Sequence, residues 1–501
     1  MYETRRKKNP DSISDLCDTP RWKRIAGPPT PTLTRILYQL CVDAFPWSGR
    51  KHQGSVKPSQ IKLNSLPPYV RDKAKYIIVQ MLVPAKLKTA AAKKYYDFAA
   101  RFEMNELHNV GVDGVRLLMY GTSLDTPGRR ELLAMTSVQS FYPCPHCLHV
   151  WQPGLTRPIA GGYRRFLPIG HPWRQKSWWF KGHKYEFRDI ERRPPPYRRT
   201  DALVARMVAR ARPGRPCCGH KAEPFLSEWE GADWERSMCD PMHDIKCFLE
   251  GTVKCLVGKA SDGVYKSWGA KDSRHRRTCQ AFGMFKDFAD GTSTLPPWRL
   301  TKDQVKVMDE RVRRMWWPHY TDLLTRDGQS FWIKPDRMWK AKHKWFCLMA
   351  ILPTCLNGYV RALHMSLIYI INALKSLMGQ VYSAIEAMRR GEEPGTRSIN
   401  VPLIEFLGHQ LIYGLTLLEG SYPIDHLNPA LHHIVHYGHQ TANVGILLWV
   451  ALNTFERSNR RMKNLVRNNQ APEASLANNI QVCMPAMISL TPLYLNSLRY
   501  V

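Results

Sequence analysis

Cys144-Pro145-His146-Cys147 sets two thiols at the spacing that lets a pair of thiolates share one ion. His432 and His436, four residues apart, present two imidazoles on one face of a predicted helix. Zinc takes four such ligands in a tetrahedron, so each pair alone is half a site. Two aspartates offer different chemistry. Asp43 ends the apolar, β-branched stretch Leu33 to Val42, and Asp125 follows shortly after Val115-Arg116-Leu117-Leu118-Met119-Tyr120, which places each near the tip of a predicted strand. Carboxylates at strand tips are the oxygen ligands that Mg²⁺ or Mn²⁺ prefers. Every one of these residues also has an ordinary use. Asp43 suits a turn, Asp125 suits the cap of a helix starting at Thr126, and the cysteines and histidines suit a core or, with His433 and His439, a histidine-lined helix. Cys217-Cys218-Gly219-His220 and the series Cys239, His243, Cys247 are weaker metal candidates, because a four-residue spacing is also core periodicity on a helix.

The elements that must position these residues fall into an ordered front, a long middle and a helical end. Besides the two strands, Tyr76 to Val83 is an apolar run stopped by Pro84, and Lys86 to Leu107 is predicted helical from its Ala and Lys content. Strands separated by a helical segment predict an α/β fold with a mixed sheet. From Leu148 to about Pro429 the pattern changes, with a Pro194-Pro195-Pro196 break and a Gly391-Glu392-Glu393-Pro394-Gly395 loop. Arg157 to Arg199 carries 12 Lys or Arg against 3 Asp or Glu, interleaved with Trp173, Trp178, Trp179, Phe180 and Tyr185. Such a mixture suits phosphate contact with base stacking, or equally a solvated basic loop whose aromatics turn inward.

Composition bounds the reading. With 501 residues and 44% hydrophobic content there is ample material for a large core and length for about three domains. Lys and Arg number 73 against 42 Asp and Glu, a formal net charge of +31, which favours a polyanionic partner such as DNA or RNA. The 13 cysteines are dispersed and the polar, basic start has no apolar run, so metal ligands or core thiols are expected rather than disulfides. Leu363 to Met378 and Val444 to Leu452 are too short or too interrupted to span a bilayer, so no membrane association is expected. Arg5-Arg6-Lys7-Lys8 has the composition of a nuclear import signal, and a nuclear location is the expectation.

Several segments occur in the order seen in one family. Val42-Asp43-Ala44-Phe45-Pro46-Trp47, Asn64-Ser65-Leu66-Pro67-Pro68, Leu124-Asp125-Thr126-Pro127-Gly128-Arg129, Cys144-Pro145-His146-Cys147, Tyr163-Arg164-Arg165-Phe166-Leu167-Pro168, Cys239-Asp240-Pro241-Met242-His243-Asp244 and Phe455-Glu456-Arg457 with Val466 to Ser475 together resemble CACTA-type (En/Spm) DNA transposases. The resemblance spans roughly residues 15 to 480. It implies a ribonuclease-H-like mixed sheet interrupted by a long, mainly helical insertion before the last acidic residue, similar to the catalytic core of the vertebrate antigen-receptor recombinase.

By that resemblance Asp43, Asp125 and Glu456 form a DDE triad holding two Mg²⁺ or Mn²⁺ ions for strand cleavage and transfer at transposon ends. Asp113, two residues before Val115, competes for the second position, and the role of Asp240 is left open. Glu456 has its own plain alternative, an exposed helix residue paired with Arg460. The resemblance also joins Cys144 and Cys147 to His432 and His436 as one structural zinc site. The implied organisation is a basic tail and linker over 1–32, a first catalytic part over 33–147, an insertion over 148–430, the histidines and glutamate helix over 431–470, and a tail over 471–501. Arg457, Arg460, Arg461, Lys463 and Arg467 on the glutamate helix, with Arg164 and Arg165, are the expected DNA contacts. A homodimer or higher oligomer is expected from the need to hold two DNA ends, and a separate end-binding partner from the short stretch before the first catalytic strand. The rival readings are a catalytically inert DNA-binding descendant and a nuclease that cuts without joining.

Overall fold

The computed structural model describes residues 12–13, 15–28, 34–43, 45–46, 55–66, 68–73, 76–84, 115–137, 140, 142–148, 178–180, 183–185, 198–212, 214–223, 237–261, 264–266, 276, 285–293, 295–315, 331–332, 341–389, 399–421, 429–447, 451–465 and 476. Five strands form one mixed sheet: β1 (Thr34–Val42), β2 (Phe45–Pro46), β3 (Ser55–Leu63), β4 (Ile78–Pro84) and β5 (Val115–Thr122). β1 lies between β3 and β5. It pairs antiparallel with β3, Leu40 opposite Ile61, and parallel with β5, Leu40 opposite Thr122. β3 pairs antiparallel with β4 along its other edge, and β2 continues from β1 onto β3. Beyond β5 a single parallel bridge joins Thr122 to Ser237.

β1 is buried over most of its length, as a strand covered on both faces should be. Alternation sends Leu37, with Leu118 and Tyr120, into a large core shared with helices, while Tyr38, Leu40 and Met119 pack on the opposite face with Leu133, Met135 and Val204. The helices of the large core include α4 (Pro241–Val257), α5 (Lys302–Arg314), α6 (Arg361–Arg389) and α7 (Val401–Ser421). On the other side lie α2 (Thr126–Leu132) and α3 (Asp201–Arg210). The chain is thus α/β with a mixed sheet and a predominance of helix.

Between residues 12 and 27, within the stretch expected as tail and linker, the chain is ordered and partly buried. Helix α1 (Pro20–Ala26) is capped by Thr19, and the Arg21 Nε donates to the Tyr120 carbonyl at 2.6 Å. Asp15 and Arg71, both buried, pair at 2.6 Å. The expected helix over Lys86 to Leu107 lies outside the described residues.

Three further helices bear on the site: α8 (Pro429–Ile434), α9 (Tyr437–Val444) and α10 (Asn453–Leu465). α9 crosses α7 so closely that a Cβ at Gly438 would stand 2.5 Å from the Gly408 Cα, a contact no side chain tolerates. This crossing presses the histidine-bearing segment against the helical core.

Candidate active site and metal centre

The parallel pairing of β1 and β5 decides where the aspartates go. Leu40 faces Thr122, so Asp43 and Asp125 each lie three residues beyond a paired position (43 − 40 = 3; 125 − 122 = 3), at the same end of adjacent strands. The Ser123 amide donates to the Leu40 carbonyl at 2.9 Å and extends that register toward the tips. Asp125 is also the N-cap of α2, its Oδ1 accepting from the Gly128 amide at 2.8 Å. A Cβ on Gly128 would lie 3.0 Å from that oxygen and 3.4 Å from the Val42 carbonyl, so the capping turn sits directly against the strand that delivers Asp43.

Glu456 stands in the first turn of α10. This helix buries Phe455, Ser458, Asn459 and Met462 and exposes Arg457, Arg460 and Arg461, with Lys463 half-buried. Phe455 packs with Cys41 of β1 and Ile77. One turn past Glu456, the buried Asn459 donates from Nδ2 to Asp43 Oδ2 at 3.5 Å and accepts from the buried Gln60 Nε2 of β3 at 2.7 Å. The helix carrying Glu456 is therefore fastened to the strand end carrying Asp43. The ion-pair partner of Glu456 is His243, with Nε2 3.9 Å from Oε1, rather than the Arg460 that helical spacing offers.

Asp240 and His243 had no assigned role in the sequence, yet both sit here. Asp240 is buried and caps α4, its carboxylate accepting from the Met242 and His243 amides at 3.3 Å each and from the distant Leu452 amide at 3.3 Å. His243 Nδ1 bonds Asp240 Oδ2. Burial alone would lower the His243 pKa, but the Asp240 hydrogen bond and charge, with Glu456 and Asp125 beyond, raise it to about 9. Glu456 is itself raised, chiefly by burial, with His243 opposing and Asp240 and Asp125 adding to the rise. The Cys41 thiol is pushed well up, first by burial and then by the charges of Asp43, Asp240, Glu456 and Asp125, so four carboxylates lie near enough to act on one buried sulfur. The Asp-Pro pair at residues 240 and 241 is a helix-start signal that could have located Asp240 at a cap. Nothing local points to its partner Leu452.

The metal-ligand residues meet at a second place, where α8 packs on α4. Cys144 Sγ lies 3.3 Å from His436 Nε2, Cys147 Sγ 3.3 Å from His432 Nε2, and the two Nε2 atoms are 3.3 Å apart. All four ligand atoms fall within 4.8 Å of one another, and all four residues are buried. Bonds of ~2.3 Å to sulfur and ~2.05 Å to nitrogen in a tetrahedron separate sulfur from nitrogen by about 3.6 Å and nitrogen from nitrogen by about 3.3 Å. The quartet can hold a metal ion, and its dimensions are consistent with zinc. The protonation states agree: burial raises the Cys144 thiol, but Cys147, His432 and His436 hold it well below the ordinary thiol value, and burial lowers His432 to about 4. Both shifts run in the direction that thiolate and neutral-imidazole metal ligands require.

His432 and His436 do not share one helix as the spacing predicts. His432 belongs to α8, and His436 is the N-cap of α9 after a tight turn closed by His436 N to His433 O at 2.9 Å. The break turns both rings toward the thiols. Around them, the buried Arg199 donates from Nε to the carbonyls of Cys144 and Cys147 at 2.9 and 3.2 Å, and the His146 amide donates to Cys144 Sγ at 3.3 Å. His433 Nδ1 meets Asp244 Oδ1 at 2.9 Å and the Tyr437 hydroxyl donates to Asp244 Oδ2 at 3.1 Å. Asp244 lies one turn into α4 from Asp240, so one helix contacts both the metal centre and the carboxylate cluster.

Among the described residues the Cys144 quartet is the group of three or more His, Cys, Asp or Glu ligand atoms drawn this close. Cys217 and His220 instead pair across a tight turn, and Cys239 is buried beside His146 at 3.4 Å while Cys247 is exposed. Asp113, Arg164, Arg165 and Arg467 lie outside the described residues. Trp178–Phe180 and His183–Tyr185 form a short antiparallel hairpin within the basic, aromatic stretch. No helix among the described residues is long and apolar enough to cross a membrane. No family model matches this chain, and no curated protein matches it.

Proposed function

We propose that this chain is a DNA transposase of the CACTA (En/Spm) type, cutting and joining phosphodiester bonds with metal ions held by Asp43, Asp125 and Glu456 in a ribonuclease-H-like core. The observation that carries the reading is the placing of Asp43 and Asp125 at one end of adjacent parallel strands, with the Glu456 helix hydrogen-bonded back to Asp43 through Asn459. The sheet order, an antiparallel β1, β3, β4 set with β5 parallel to β1, suits a ribonuclease-H-like core. The helices between β5 and α10 suit an insertion ahead of the glutamate.

The chemistry follows from the residues. Carboxylates close enough to act together on one buried thiol, with Glu456 itself raised chiefly by burial, are short of positive charge, which divalent cations supply. Two such ions would steady the attacking and leaving oxygens as water opens a phosphodiester and as the freed 3′-hydroxyl attacks another. His243, protonated at neutral pH, adds a cation beside Glu456, with Lys246 acting in the same sense. The exposed Arg457, Arg460 and Arg461 follow Glu456 on the same helix, where they would meet the phosphates flanking the cut. Zinc is assigned to the Cys144, Cys147, His432, His436 centre as a structural ion.

Asp43→Asn, Asp125→Asn and Glu456→Gln keep shape and remove charge, so each should bind labelled DNA ends normally and cut them orders of magnitude more slowly in Mg²⁺ or Mn²⁺. Asp113→Asn should retain most activity. Cleavage without joining would assign a nuclease, binding without cleavage an inert descendant, and normal cutting by all four variants would refute the carboxylate site.

A further inference from the structure

The face of α3 turned to solvent has an unusual make-up. Val204 and Met207 are buried, and the exposed positions are Asp201, Ala202, Ala205, Arg206, Ala209 and Arg210. Two arginines one turn apart thus rise from a bed of alanines, with no bulky neighbour to keep a rigid surface at a distance. The chain then makes a tight turn in which Arg212 and Arg215 exchange backbone hydrogen bonds of 3.1 and 2.9 Å. Its tip, Gly214 at φ +75°, has nothing within 4 Å of where a Cβ would be, so it projects into open space. Arg198 to Lys221 holds seven basic residues and one acidic residue, Asp201. The ion pairs of the described residues engage other cations, not Arg206, Arg210, Arg212 or Arg215.

Two features separate this surface from an ordinary solvated run of charge. Favourable interaction with the helix dipole accounts for Arg210 and for Arg212, whose Nη1 donates to the Ala209 and Ala211 carbonyls at 2.8 and 3.0 Å, but not for Arg206, Arg215 or Lys221. The platform is also rigidly mounted. Arg199, at the root of α3, donates to the Met207 sulfur at 3.4 Å and to the carbonyls of Cys144, Cys147 and Cys218, which ties helix, turn and metal centre into one piece. On a rigidly mounted backbone only the side-chain rotamers remain to be ordered when a rigid polyanion is met, and Arg206 Nε is already held on the Ala202 carbonyl at 3.3 Å.

We infer that the outer face of α3 and the turn at Arg212 to Arg215 form a second duplex-DNA backbone contact, separate from the carboxylate cluster and from the arginines of α10. Arg206, Arg210 and Arg215 are the phosphate-binding residues, and Arg212 holds the turn on the helix end. This rests on the reading that the chain binds DNA, and not on the carboxylate chemistry.

The test uses the full chain and a fluorescent DNA duplex, measuring affinity against salt. Replacing Arg206, Arg210 and Arg215 together by Ala removes three phosphate contacts while placing the best helix former in α3, so metal content and thermal midpoint should stay as in the wild type. At ~0.9 ions released per contact, the slope of log affinity against log salt should fall by about 2.7. Between 50 and 200 mM salt the wild type should then lose roughly 40-fold more affinity than the variant. The triple Lys variant should restore most of the slope, because phosphates accept point charges. An unchanged slope in the folded Ala variant overturns the inference, as does a wild type that fails to bind duplex. Loss of polyglutamate binding with the DNA slope intact would overturn it in favour of an acidic protein partner. If Asp43→Asn cuts normally while the Ala variant loses slope, the catalytic reading fails and this surface stands.

Discussion

Loss of an ion from the Cys144, Cys147, His432 and His436 quartet should be felt by the whole molecule, and the size of the effect follows from where the ligands lie. The contact between Cys147 and His432 spans 285 residues. Treated as a cross-link, a loop of that length removes about 19 cal/mol/K from the unfolded chain, or about 5–6 kcal/mol at 25 °C. That matches the lower end of the ~5–15 kcal/mol that holds a typical protein folded. Unfolding entropy of ~2.1 cal/mol/K per residue is about 1 kcal/mol/K for this chain, so the thermal midpoint should drop by roughly 5 °C. Cys147→Ser should reproduce the effect of a strong chelator, and the two should not add, since both remove the same ion. Metal analysis should find about one zinc per wild-type chain and none in the variant. Calorimetry with and without chelator checks the magnitude. A metal-free protein that unfolds at the wild-type midpoint would refute the reasoning, as would a Cys147→Ser variant that keeps both its zinc and its midpoint.

Two further outcomes concern the carboxylate cluster. His243 should titrate near 9 by NMR in metal-free protein, and Asp240→Asn should bring it back toward its ordinary value. Because the folded-state pKa is raised, the associated stability is complete below about 6.5 and is lost as pH climbs through about 9, on the order of 3 kcal/mol in all. A His243 that titrates at or below the ordinary value would contradict the pairing. Asn459→Leu strands the buried Gln60 amide, so urea denaturation should show a loss of about 1–3 kcal/mol, and an unmoved midpoint would mean that the Gln60 bond contributes nothing.

β1 and β5 were legible because each is dominated by large apolar residues, as a strand largely covered on both faces requires. The run Tyr76 to Val83 likewise marks β4, observed over Ile78–Pro84, a difference of two residues at the start. β3 left no such mark. Its sequence Ser-Val-Lys-Pro-Ser-Gln-Ile-Lys-Leu is half polar, and the buried Gln60 Nε2 and Lys62 Nζ donate to Asn459 and Asp72, the first of them 399 residues away. No window of sequence contains such a partner. The metal ligands were legible as residue types at short spacings, whereas the helix break that aims His436 depends on the packing of α9 against α7. Asp240 shows the same limit: its cap is local, but its place beside Glu456 depends on Leu452.

The long separation of the metal ligands also has a consequence in time. Cys144 and Cys147 leave the ribosome well before His432, and 285 residues at ~5–20 residues per second take roughly 15–60 s to make. Through that interval the thiols lack the two imidazoles, His432 and His436, that complete their ligand set, and stand as half a site. Glu456 arrives later still. A chain cut between His436 and Asn453 would keep all four metal-ligand residues and lack the helix that carries Glu456.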